Sequence, residues 1–512
     1  MPVDQDTPPT KSSLQALVVV GMAWTGSAQL VIQLFSFINT IILPRFLLPA
    51  DFGVFGMANI VIGLVGIING LGLGAAIIQK PHLSERHLNS VFVANLTLGI
   101  SFCVLLILSS PMIAIFYNTP QIQPVLSVLA ITFIFSGASA TQNVFLSKHM
   151  RYKIIAWITL ASTVLQGLTA ISLAIFQYGV WALVAGQLVG SSTLCLGLWL
   201  ITEWKPRFQF DKGAFGELFG FGFNVLGANV TGYLSGNVDN IIVGKYLGST
   251  SLGYYDLAYR WAFVPRRNFL GIVHQVMYPA FSTIQDDNAR LRTAYEKLLC
   301  YTALINFPVC IGLMLLAPEF ISTLYLDLWQ PAIVPLQILC VSGLIATVGA
   351  HMGIILKVKG RPDLEFKMTI VSILLLVILL YVGLGFGLVG VAIAVSLKSL
   401  IFIGIFSAKT NQLIEMKFSD YLASFMPATV VTLIMALFVL PFQIVFDTLT
   451  PLGPAPRLIF LVLIGASIYA LSVKWVYPRL WDDSKSLLIQ IILRNRVANS
   501  KGKSYEFLEK TG

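Results

Sequence analysis

A chain of 512 residues with 56% apolar and only 11% charged side chains is too poor in charge for a soluble domain, where roughly 25% is usual. Its mean hydropathy of +0.82 points to a membrane protein. The 33 Lys and Arg exceed the 23 Asp and Glu by +10, but they fall in short clusters between apolar runs. That pattern fits the positive-inside bias of membrane proteins and argues against a nucleic-acid partner.

Apolar runs of the ~20 residues that a spanning helix needs occur near 16–43, 52–79, 89–117, 123–146, 154–177, 179–202, 216–244, 252–283, 294–317, 332–356, 366–384, 387–408, 421–445 and 457–477. They predict an all-α integral membrane protein of about fourteen transmembrane helices. Residues 1–15 form a polar segment with a single Lys. The run after it is too long for a signal-peptide core, so it is expected to be retained. Beyond the last run, residues 478–512 make a basic tail with an amphipathic stretch, Trp481 to Leu493, expected on the membrane surface.

Alternate loops test the topology. One set carries Lys80, Arg86, Lys148, Arg151, Lys153, Lys205, Arg207, Lys212, Arg290, Arg292, Lys297, Lys357, Lys359, Arg361, Lys367, Lys409 and Lys417, seventeen in all. The other carries three: Arg45, Lys245 and Arg457. The imbalance places both termini in the cytoplasm. The loops on the poorer side are short, and no dense Asp/Glu/His cluster or Walker-type phosphate loop is present, which argues against a membrane enzyme or an ATPase. The five cysteines (Cys103, Cys195, Cys300, Cys310 and Cys340) lie in apolar stretches without ligand spacing. They read as core residues, with no metal.

An internal repeat organises the spans. At a constant offset of 200, Leu34/Leu234, Ile41/Ile241, Ile42/Ile242, Leu47/Leu247, Gly53/Gly253 and Ala58/Ala258 are identical, and Arg45/Lys245, Phe46/Tyr246 and Phe55/Tyr255 are similar. A weaker echo pairs Tyr178-Gly179 with Phe386-Gly387. An even number of spans separates the copies, so the halves are parallel repeats enclosing a substrate path. The resulting divisions are an N-lobe at 16–203 (spans 1–6), a cytoplasmic linker at 204–215, a C-lobe at 216–410 (spans 7–12) and a peripheral pair of spans at 411–477.

Residues 42–80, ILPRFLLPADFGVFGMANIVIGLVGIINGLGLGAAIIQK, look like the opening signature of bacterial polysaccharide-lipid flippases. NVDNIIVGKYLGSTSLGYYDLAYRWAFVP (237–265), VMYPAFSTIQDD (276–287) and the Gly360-Arg361-Pro362-Asp363 turn resemble later segments of the same group. These are the Wzx/WzxC-like proteins of the multidrug/oligosaccharidyl-lipid/polysaccharide (MOP) superfamily, and the likeness covers about the first 410 residues. The resemblance implies a V of two six-helix lobes related by pseudo-two-fold symmetry, with two peripheral helices. It also implies movement of an undecaprenyl-pyrophosphate-linked oligosaccharide across the inner membrane, beside a polysaccharide polymerase and a chain-length regulator. A multidrug exporter of the same superfamily is the near alternative, and a membrane enzyme of polysaccharide assembly the distant one.

The eighth span carries a charged stripe. Asp256, Arg260, Arg267 and His274 fall within roughly 40° of helical arc and Arg266 some 80° away, and Asp256 to His274 covers about 27 Å of rise. Arginines facing lipid are costly, so the stripe is expected to line a hydrated cavity. Arg260 and Arg267 are assigned to pyrophosphate, with Arg266 auxiliary and Asp256 pairing with Arg260 in the empty site. The competing reading makes Asp256–Arg260 a structural pair. His274 reads as a hydrogen-bonded cavity residue ahead of a proton carrier. The repeat counterparts of the stripe, Gly56, Ile60, Ile67 and Gly74, are uncharged, which predicts an apolar or small-residue wall on the N-lobe side. Gln29, Gln33 and Asn39 are candidate sugar contacts, or amides tying helices together.

Asp239 in the seventh span has Asn39 as its counterpart, and Lys398 sits mid-span in the twelfth with nothing nearby in sequence to neutralise it. The two are expected to approach each other. In related flippases an acid at this place is associated with a coupling cation. The resemblance therefore implies H+ or Na+ as that cation, with Lys398 weighing against sodium. No other cofactor is expected.

Overall fold

The computed structural model describes residues 29–70, 73–80, 84–449, 453–479 and 481–482. The start of the first predicted span and nearly all of the Trp481–Leu493 stretch lie outside them. The described residues are helical with short turns and contain no strand. In chain order the helices are α1 (Gln29–Arg45), α2 (Pro49–Asn69), the short α3 (Leu73–Gln79), α4 (Glu85–Phe116), α5 (Ile122–Lys148), α6 (Tyr152–Ile175) and α7 (Val180–Ile201). After a linker come α8 (212–247), α9 (249–282), α10 (Asn288–Leu315), the short α11 (Ala317–Tyr325), α12 (Asp327–Val358), α13 (Pro362–Gly383), α14 (Gly387–Leu413), α15 (Phe418–Phe446) and α16 (Pro454–Val476). Ten helical stretches among the described residues are long and apolar enough to cross a membrane, with α13 and α14 taken together as one of them. The chain is a multi-pass membrane protein.

Local sequence explains where the helices begin and turn. Pro49, Pro318, Pro362 and Pro454 stand in first turns, where a missing N–H costs nothing. Asp287 caps α10 by accepting from the Arg290 N–H at 3.0 Å. The Tyr178-Gly179 and Phe386-Gly387 echo has a conformational cause. Gly179 (φ +55°) and Gly387 (φ +64°) stand at the starts of α7 and α14, in a region that side-chain-bearing residues avoid. Between α8 and α9 the helix reverses at one residue, Gly248 (φ +84°, ψ 178°). The reversal is tight enough for Asp239 of α8 to touch Tyr255 of α9.

In the first half α6 lies on α7, and α4 and α5 pack together; in the second, α12, α13 and α14 pack on one another and α10 lies on α12. α15 and α16 form a pair resting on α10 and α11. Arg457 of α16 fastens this pair, donating at 2.8 Å to Glu319 of α11, which also accepts from Gln443 of α15 at 3.0 Å. The outer surface is greasy: Leu108, Leu200 and Leu437 are 74%, 82% and 70% exposed, which suits acyl chains. All five cysteines are buried, and none is in a disulfide.

The largest core cluster belongs to both halves, with Val54, Met57 and Tyr117 packed with Val243, Tyr255 and Trp329. At its centre α2 meets the α8–α9 hairpin. The approach is backbone to backbone: a Cβ added to Gly53 would lie 1.8 Å from the Ser249 carbonyl oxygen, and one added to Gly253 would lie 2.0 Å from that of Pro49. Positions 49 and 249, like 53 and 253, are repeat equivalents. The seam therefore has the i-to-j, j-to-i pattern of a two-fold interface, built within one chain.

Candidate functional site: a polar cavity between the repeated hairpins

Beside this seam lies a cavity of about 510 Å³, within the ~300–1,000 Å³ of typical ligand pockets. α1, α2, α6 and α7 form one wall, and α8, α9 and Trp329 of α12 form the other. Tyr233 of α8 lies in its lining and donates through Oη to the Ile60 carbonyl of α2 at 2.9 Å. Gly63 admits that ring, since a Cβ there would come within 2.2 Å of the Tyr233 Oη.

The eighth-span residues Asp256 and Arg260 both line the cavity. Arg260 donates from Nη2 to Asp256 Oδ2 at 2.9 Å, one helical turn apart. The pair leaves the wall almost neutral and keeps a guanidinium at the cavity surface, where it can exchange partners with an anion. Arg266 and Arg267 lie on α9, but their side chains are outside the described residues. His274 does not line this cavity. About 21 Å along α9 from Arg260, its ring packs at 5.4 Å against that of His351, which is fully buried and hydrogen-bonded to Thr302 of α10 at 2.8 Å. The ideal-helix stripe is longer than the cavity, so α9 passes from the cavity wall into the interior of the second half.

Asn39 lines the cavity, whereas Gln29 and Gln33 do not. The Asn39 amide rests on Gly167 of α6, where a Cβ would lie 2.2 Å from Nδ2, and its Oδ1 is buried without a hydrogen-bond partner. The expectation of an apolar first-half wall needs correction. Gly56 and Ile60 are there, but so are Asn39, Asn59, Thr163 and Gln166, opposite Asn237 and Asn240. Asn240 Oδ1 is likewise buried without a partner. The wheel reading followed α2 alone, while α1 and α6 supply most of that polarity. Their signal is spacing: Ser36–Asn39–Thr40, Thr163–Gln166 and Asn237–Asn240 repeat polar residues at three or four, on one helical face.

Asp239 is outside the cavity, 3% exposed, with Oδ2 accepting from Tyr255 Oη at 2.7 Å. Lys398 of α14 is near enough to act electrostatically on this carboxylate. The first repeat carries Asn39 and Phe55 at the matching positions. Acid and phenol occur together in one copy and are absent together from the other, as expected for a bonded pair.

Comparisons with known proteins agree with this architecture. Over 377 residues the chain is 29% identical to the lipopolysaccharide biosynthesis protein WzxC of Escherichia coli (strain K12), covering 72% of this chain and 76% of that protein. The structure of the lipid II flippase MurJ in an inward closed conformation superposes with a TM-score of 0.70 at 17% identity, covering 89% of this chain and 99% of that one. An inward-facing multidrug resistance MATE family transporter of the MOP superfamily superposes with a TM-score of 0.58 at 16% identity, covering 75% and 96%. The family model described as "Polysaccharide biosynthesis protein" matches residues 42–334, more than half of the sequence. The chain belongs to the polysaccharide biosynthesis protein family and has the fold of the MOP superfamily transporters.

Proposed function

We propose that the protein flips an undecaprenyl-pyrophosphate-linked oligosaccharide from the inner to the outer leaflet of the bacterial inner membrane, supplying exopolysaccharide, O-antigen or capsule synthesis. It is a secondary transporter and not an enzyme. The observation that carries this reading is a cavity between two repeated hairpins that sets one exchangeable Asp256–Arg260 pair among carboxamides. Carboxamides and a guanidinium recognise sugar hydroxyls and phosphate oxygens, and the one acid in the lining, Asp256, is already paired with Arg260. A volume of about 510 Å³ suits a headgroup, leaving the prenyl chain in lipid.

In this reading fourteen spans form two six-helix lobes (16–203 and 216–410), a linker (204–215) and a peripheral pair (411–477), with the N-terminal segment (1–15) and the basic tail (478–512) in the cytoplasm. Arg260 and Arg267 hold pyrophosphate, with Arg266 auxiliary. Asn39, Asn59, Gln166, Asn237 and Asn240 meet the sugars. The lobes rock between inward-open and outward-open states, and Asp239 with Lys398 responds to a coupling cation, H+ or Na+, with the ammonium weighing against sodium. A polymerase and a chain-length regulator receive the product.

The test is a deletion strain complemented with wild-type, Arg260→Ala or Asn59→Leu protein. Each variant should reach the membrane at the wild-type level, accumulate lipid-linked repeat units inside and export less polymer by tenfold or more. A deletion that leaves polymer unchanged and sensitises cells to cationic drugs would overturn the reading. So would full export by the Arg260→Ala/Arg267→Ala double variant.

A further inference from the structure

The repeat pairs Arg45 with Lys245, and the structure gives both the same task. Arg45, at the end of α1, reaches into the second half and donates from Nε to the Leu324 carbonyl at 2.9 Å and from Nη2 to that of Thr323 at 3.0 Å. These carbonyls belong to the last turn of α11, where backbone oxygens have no helical partner. Lys245, at the end of α8, reaches the other way. Its Nζ lies 3.3 Å from the Phe116 carbonyl, at the last residue of α4, and 3.7 Å from the centre of the Phe116 ring. Each cation thus sits on the negative end of a helix from the opposite half.

The residue before each cation repeats the exchange. The Pro44 carbonyl accepts from Trp329 Nε1 of the second half at 2.9 Å, and Gly244 lies against Tyr117 of the first, where a Cβ would come 3.1 Å from the ring. One turn away is the reciprocal Gly53–Ser249 and Gly253–Pro49 contact. The strongest surviving repeat positions thus coincide with the surface on which the halves touch at this end.

We propose that Arg45 and Lys245 are positioning residues for transport, a reciprocal pair of latches that holds this end shut and sets the balance between its closed and open states. Neither touches the cavity, so they act through the seam. Both latches cross the same seam, so a motion that parts the halves at this end must break both. That this end faces outward, and that its opening releases substrate, rests on the flippase reading.

The test uses full-length protein in cells, with Thr40→Cys as a cavity reporter and a membrane-impermeant maleimide added outside. Arg45→Ala and Lys245→Ala should each raise the labelling rate roughly twofold to fivefold, as one cation at a helix terminus allows. The double variant should combine them multiplicatively. Lys245→Arg should restore the wild-type rate, whereas a role in folding alone would lower protein level and leave the rate of the surviving protein unchanged. Bridging Arg45→Cys to Thr323→Cys with a short bifunctional thiol reagent should stop polymer export, with reduction restoring it. Unchanged labelling in the double variant, or full export from the bridged protein, would overturn the proposal. The labelling arm needs no transport, so a failed flippase reading with raised labelling leaves the latch standing, and the converse pattern removes only the latch.

Discussion

Replacing Gly53 by Ala sets two effects of opposite sign against each other. Alanine gains about 0.8–1 kcal/mol over glycine inside a helix, and Gly53 lies within the first two turns of α2. Against that, the new methyl would start 1.8 Å from the Ser249 carbonyl oxygen. Ordinary contact needs nearly twice that separation, so α2 and the start of α9 must part by about 1.5 Å. The obstacle is backbone and cannot rotate away. Overpacking of this kind costs ~1–3 kcal/mol and outweighs the propensity gain, so the closed seam should weaken by up to about 2 kcal/mol. Gly56, three residues on, supplies the control, because its added Cβ meets nothing nearer than a Leu252 methyl at 3.7 Å. Thermal unfolding of purified protein should therefore show a lower midpoint for Gly53→Ala and an equal or higher one for Gly56→Ala. External labelling at Thr40→Cys should rise for the first variant only. Equal midpoints and equal labelling for the two variants would refute the close-approach reasoning.

Arg457→Ala removes the partner of Glu319, whose side chain is only 5% exposed. A charge stranded in that way costs ~3–5 kcal/mol, so the thermal midpoint should fall steeply and Arg457→Ala/Glu319→Gln should recover most of the loss. Tyr255→Phe deletes the hydrogen bond to buried Asp239 and leaves a buried acceptor unsatisfied, a loss of about 1–3 kcal/mol; stability should drop, and less so in an Asp239→Asn background. Gly167→Ala would push on the Asn39 amide and the edge of Phe35, both movable side chains. It should fold normally yet export less polymer, as measured by complementation.

Much of the fold is legible in the residues because a bilayer imposes a single demand, apolar runs of a set length, and the runs follow one another with little between them. The repeat is legible for a narrower reason. Gly53 and Gly253 occupy a two-fold contact that leaves no room for a Cβ, and Arg45 and Lys245 each reach across to the opposite half. The cavity is legible only in part. A charge inside a span announces itself, which is how Asp256 and Arg260 stand out. An amide such as Asn59 or Gln166 is ambiguous, since it serves equally well to join helices or to line water, and only the neighbouring helices decide. His274 shows the limit of a helical wheel, which records angle and not how far along the helix a cavity extends. The Asp239–Tyr255 bond is visible in hindsight as the paired difference from Asn39 and Phe55.

The hinge at Gly248 spends one residue on reversing the chain, and a joint that short has no slack. One arm carries the buried acid Asp239 and the other carries the ion pair Asp256–Arg260, so the chain links them as two ends of a stiff elbow. Both arms also line the cavity, through Asn237 and Asn240 on one and Asp256 and Arg260 on the other, so a tilt of either shifts the footing of its neighbour.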